Sequence, residues 1–186
     1  AAERDAAVRW YRDFLEGFDD APEAPATRLL LADLLFEGSD FEAAAVEYER
    51  AAYSYPANAQ SGRAGYAALV AWDRAESQAP EAARAAIRVQ AVESSLRFAD
   101  TFPENPEVPG VLTRTAGALF EAGERERAAA VAQRVLALGS RADASQQLVA
   151  WTVIAHTEFE AGRYAEAERA YCSRRCSWLP RRRWTR

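Results

Sequence analysis

Apolar residues recur three and four positions apart along most of the chain, with charged residues between them. Phe41, Ala44, Tyr48 and Ala51 fall on one helical face, as do Ala7, Val8, Tyr11, Phe14, Leu15 and Phe18. No stretch alternates with the period of two that a half-buried strand requires. Proline and glycine cut the pattern into segments, because proline cannot sit in a helix interior and glycine favours turns. The spacing predicts helices over 3–17, 25–37, 40–54, 61–78, 80–102, 106–121, 124–138 and 143–160, and from 163 onward. Pro25 suits a first helical turn, and Asp40 is expected to cap the helix that follows it.

The segments repeat. LLFEGSDFEAA, ALFEAGERERAA and TEFEAGRYAEA each place Phe-Glu and then Gly between two amphipathic helices. Tyr55-Pro56-Ala57-Asn58 returns as Phe102-Pro103-Glu104-Asn105, and Phe18-Asp19 holds the same place without the proline. Self-similar helix pairs of this kind mean an all-α array, in which a pair cannot bury its own apolar face and neighbours must stack.

At this point the residues resemble the tetratricopeptide repeat (TPR) family, whose pattern W-x2-L-G-x2-Y, A-x3-F and a proline spans about 34 residues. Leu31-Ala32-x2-Leu35, Ala44-x3-Tyr48, Ala51 and Pro56 carry it in 22–58. Residues 106–141 keep Ala116, Leu119, Gly123 and Ala128, with Ala132 in place of the aromatic. Residues 142–171 keep Trp151-x2-Ile154-Ala155, Gly162, Tyr164 and Ala167-x3-Tyr171, with Glu158 replacing an aromatic. Residues 1–21 read as the second helix of a truncated repeat, and 59–105 as a divergent or extended helix pair. The resemblance implies a TPR-type α-solenoid of stacked antiparallel helix pairs. Ala32, Ala44, Ala116, Ala128, Ala155 and Ala167 would then let the helix backbones approach closely.

Charge adds an asymmetry to the overall −5. Residues 1–171 carry 17 basic against 28 acidic side chains, a balance of −11, whereas 172–186 hold six arginines and no acid. That abrupt change after Tyr171 reads as an anomalous tail, such as a frameshift would leave. A genuine basic tail touching RNA or anionic lipid is the alternative. The chain has no lysine and abundant alanine, as a GC-rich bacterial coding sequence would produce. It also has no methionine, and it reads as a piece of a longer protein whose leader or anchor would lie upstream. No apolar run approaches the ~18 residues of a membrane-spanning helix.

Catalytic machinery is not visible. His156 is the only histidine, and no Ser/His/Asp or Cys/His arrangement accompanies it. Gly62-Arg63-Ala64-Gly65 fits neither nucleotide-binding fingerprint. Cys172 and Cys176 are too few ligands for a metal and poorly spaced for a disulfide across one helical turn. No catalytic residue, cofactor or metal is therefore expected.

In the TPR arrangement the first helix of each pair lines a concave groove. The resemblance places Asp33, Phe36, Glu37, Phe120, Glu121, Thr152, His156, Phe159 and Glu160 there, as contacts for a partner segment with basic and apolar residues. Packing phenylalanines with solvated glutamates beside them are the plainer alternative. The chaperone-binding TPR subset clamps a carboxylate with Lys, Arg and Asn from first helices. This chain lacks lysine and places its two asparagines in linkers, so that subset is not expected. The expected function is a non-enzymatic scaffold for a protein or peptide partner, without small-molecule substrate or nucleic acid. The Tyr/Phe-Pro-x-Asn linkers are similar to those of bacterial envelope repeats, which implies a periplasmic or envelope setting. A cytoplasmic regulator, or a regulatory module of a larger enzyme or sensor, is the alternative.

Overall fold

Each apolar stripe becomes one helix. The computed structural model describes residues 2–178, and the side chains of 3–173. Nine α-helices lie among the described residues: α1 (Ala2–Gly17), α2 (Ala24–Glu37), α3 (Phe41–Tyr53), α4 (Ser61–Gln78), α5 (Glu81–Thr101), α6 (Val108–Glu121), α7 (Arg125–Ala137), α8 (Ala144–Glu160) and α9 (Tyr164–Trp178). No strand occurs among them. The described residues adopt the expected all-α class, and none of their helices is long and apolar enough to cross a membrane. The side chain of Cys176 and the tail from 179 lie outside the described residues. The backbone of α9 runs on past Tyr171.

Three hinges share one hydrogen-bonding scheme. The N–H groups of Asp40, Glu124 and Arg163 donate to the carbonyls of Leu35, Leu119 and Glu158, each at 2.9 Å. One residue earlier, Ser39, Gly123 and Gly162 donate to Phe36, Phe120 and Phe159 at 2.9, 3.1 and 3.0 Å. This is the Schellman closure, which satisfies the last carbonyls of a helix and needs a left-handed residue just past its end. Gly123 (φ 82°) and Gly162 (φ 75°) supply it, but in the first hinge Ser39 (φ 63°) does so, not Gly38. Asp40 stands at the N-cap of α3, but its side chain makes no capping bond. Its backbone N–H is already taken by the closure of α2, and its torsions (φ −87°, ψ 69°) are not those of a usual N-cap. The capping box that does form is at α8, where Asp143 and Gln146 exchange side-chain-to-backbone bonds of 2.8 Å.

The chain divides into two compact units, 1–98 and 99–186, with the division inside α5 rather than at a linker. In the first, α1 packs on α2, α2 on α3 and α3 on α4. Leu31, Ala32, Leu35, Ala44, Tyr48, Ala68, Ala71 and Trp72 form its core, with Val8, Tyr11 and Phe14 of α1 packed against it. In the second, α6 packs on α7, α7 on α8 and α8 on α9, and α6 also touches α8 directly. All six alanines expected at close helix crossings are buried.

The polar interior of the first unit centres on Arg28, only 8% exposed. Its guanidinium donates to Tyr55 Oη, Glu47 Oε2 and Asp19 Oδ1, each at 2.6 Å, and Tyr55 Oη donates to the same Asp19 oxygen at 2.6 Å. The Tyr55 and Arg28 bonds hold the Asp19 carboxyl below its ordinary range. A second hub is Glu49, whose Oε1 accepts from Trp72 Nε1 at 2.8 Å and from Ser94 Oγ at 2.5 Å. Such bonds keep buried polar groups satisfied.

Candidate functional site

In the second unit α6 and α8 run parallel. A Cβ at Gly110 would lie 3.7 Å from the Gln146 amide nitrogen, and the Phe120 ring centroid lies 5.9 Å from that of His156. Both pairs are 36 residues apart in sequence, so the two helices advance side by side in one direction. Between them Phe120, Leu148, Val149, Thr152, Val153 and His156 line a hollow of about 210 Å³. Its wall is apolar apart from Thr152 and His156. Thr152 Oγ1 donates to the Leu148 carbonyl at 2.7 Å, so the hydroxyl is already satisfied within its own helix. His156 is exposed, with its ring between those of Phe120 and Tyr171, the latter also 5.9 Å away.

Three residues expected in a groove thus converge, Phe120, Thr152 and His156. The neighbouring glutamates separate. Glu160 pairs with Arg125 of α7 at 2.5 Å, and that guanidinium also stacks 4.0 Å from the Phe120 ring centroid and donates to the Phe120 carbonyl. Glu121 is exposed and, among the described residues, has no ion-pair partner. Phe159 is 57% exposed but turns toward Tyr164, an edge-on ring 5.4 Å away, and lines a different hollow of about 390 Å³ with Tyr164, Ala167 and Tyr171.

In the first unit, Asp33 is exposed and its Oδ1 accepts from Tyr48 Oη at 2.5 Å. Burial, and then this bond, raises the Tyr48 hydroxyl pKa above its ordinary value. Phe36 is half-buried against the core and meets Phe41 edge-on at 5.0 Å, so it serves packing. The Glu37 side chain is exposed, while its carbonyl accepts from Arg4 Nη1 at 3.4 Å. Asp33 and His156 occupy one register, each fifteen residues before a tyrosine that it meets. The TPR-like spacing already contained that register, since Tyr48 and Tyr171 both close an Ala-x3-Tyr motif.

Sequence reasoning missed Arg28, Glu47 and Glu49, because a helical charge pattern does not tell a solvated residue from a buried hub. Among the described residues no group of three or more His, Cys, Asp or Glu side chains could hold a metal ion. Cys172 is a free, exposed thiol. Comparison with protein-family models found no match, and comparison with curated protein sequences found none either.

Proposed function

We propose that this chain is part of a TPR-type α-solenoid that binds a protein or peptide segment on the exposed sides of its first helices, α2 in the first unit and α6 with α8 in the second, without catalysing a reaction. The observation that carries the reading is the hollow between parallel α6 and α8, which gathers Phe120, Thr152 and His156 on an apolar wall. Three equivalent Schellman hinges and six buried alanines in equivalent registers support the repeat. A face held by stacked helices is formed before the partner arrives, so the receptor loses little conformational freedom on binding. An envelope process is part of this proposal, on the resemblance of the Pro-x-Asn linkers alone.

A photo-crosslinking side chain at Asp33 or Thr152 should capture protein partners in cells. One at exposed Gln133, on α7, should not. Equal capture from all three positions would show that the first-helix face is not the binding surface.

A further inference from the structure

Helix ends carry a charge preference. The carbonyl end of a helix is negative, so cations stabilise it and carboxylates do not. Yet α2, α6 and α8 end on Glu37, Glu121 and Glu160, with no basic residue in the last turn of any of them. At α8 the Arg125 guanidinium offsets the conflict. At α6 the same guanidinium donates to the Phe120 carbonyl, but the Glu121 carboxylate has no ion-pair partner among the described residues. Arg125, Arg127, Arg134, Arg141, Arg163 and Arg169 each pair with an acid other than Glu121. Because α6 and α8 are parallel, their negative ends lie side by side, next to Phe120 and the apolar hollow. Folding alone would favour a neutral or basic residue at 121. Departures from a local rule without a compensating partner are expected at sites that serve binding.

We infer that the α6–α8 hollow takes one apolar side chain of a peptide segment, and that an Arg or Lys close to it in that segment pairs with Glu121. This rests on the proposed peptide-binding face and narrows it to one unit and one partner chemistry. The apolar wall supplies contact area without hydrogen-bonding demands, and the Glu121 carboxylate supplies the charge complement. On α6, Arg114 stands two turns before Glu121 on the same stripe, about 10 Å away along the axis. The cationic side of the bound segment therefore points toward the C-terminal ends of α6 and α8, which sets the direction of docking.

The test pans a random dodecapeptide display library on the full chain, synthesises the enriched peptides and maps them by NMR on labelled protein. The expected peptides carry an apolar residue within about three positions of Arg or Lys, the reach of an extended chain across the hollow. They should shift the signals of Val149, Thr152 and His156, and replacing their basic residue by Glu should weaken binding at least tenfold. Glu121→Gln should abolish that preference for the basic peptide while leaving the melting temperature equal or higher, which a merely structural role would not do. Val149→Asp, at an exposed position, should block binding without unfolding. Peptides that bind the Asp33 region instead would overturn this inference and leave the proposed function standing. Binding at the hollow with no preference for a basic residue would also overturn it. A library that yields no binder to either unit would remove both.

Discussion

At the scale of single residues, Ser39 is the sharpest departure from the rest of the repeat. A Cβ in the left-handed region meets the adjacent carbonyl, and the other two hinges avoid this with glycine. Ser39→Gly should therefore stabilise the chain by about 0.5–1 kcal/mol, read from the urea midpoint. Gly123→Ala and Gly162→Ala should each cost about 1 kcal/mol, although a Cβ there would meet nothing within 4 Å. The penalty is torsional rather than steric crowding by neighbours. Arg28 is the other decisive residue. Arg28→Ala leaves Glu47, whose side chain is 14% exposed, without its main counter-charge, and should cost about 3 kcal/mol.

The same cluster sets a pH dependence. Asp19 has a folded pKa below its unfolded value, so its contribution is present above the unfolded value and is lost as pH falls through the folded one. Stability should decline at acid pH below the ordinary carboxylate range, and Asp19→Asn should flatten part of that decline. Because Asp19 is more than half exposed, the effect is small. Denaturant midpoints measured across the acid range in both proteins check it.

At the scale of elements, two aspartates at helix starts should behave differently. Asp143→Ala removes a capping box and should cost about 1 kcal/mol. Asp40→Ala removes no capping bond, and its effect should stay within about 0.5 kcal/mol. Both were N-cap candidates by residue type. The difference arises because the tight α2–α3 hinge holds Asp40 at ψ 69°, outside the extended N-cap conformation, whereas Asp143 (ψ 171°) follows the short 3-10 turn Gly139–Arg141 and adopts it. Asn58 and Asn105 explain the recurring Pro-x-Asn linker: each side chain accepts the N–H two residues on, at 2.8 and 3.0 Å, and turns the chain into the next helix.

For the whole molecule, each compact unit has buried residues of its own. Leu112, 2% exposed within the second unit, should cost about 3 kcal/mol when changed to Ala. Hydrogen exchange should then quicken across α6–α8 first, because each helix packs on its near neighbours in sequence. Uniform quickening from α1 to α9 would show a single cooperative core instead.

The helices and their hinges were legible in the residues alone. A helix depends on spacing of three and four and on proline and glycine at its ends, all contained within a few residues. The buried alanines followed from the repeat for the same reason. Tertiary structure decided which charges are spent and which remain. Arg28 became a buried hub because residues as far apart as Asp19 and Tyr55 converge on it. Glu160 and Glu121 follow the same Phe-Glu pattern, yet among the described residues only Glu160 of the two pairs with an arginine, since Arg125 reaches across from α7 to α8. Phe120 and His156 meet because two helices run parallel at an offset of 36 residues. Local periodicity places a side chain on a face, and packing between distant segments determines what that face encounters.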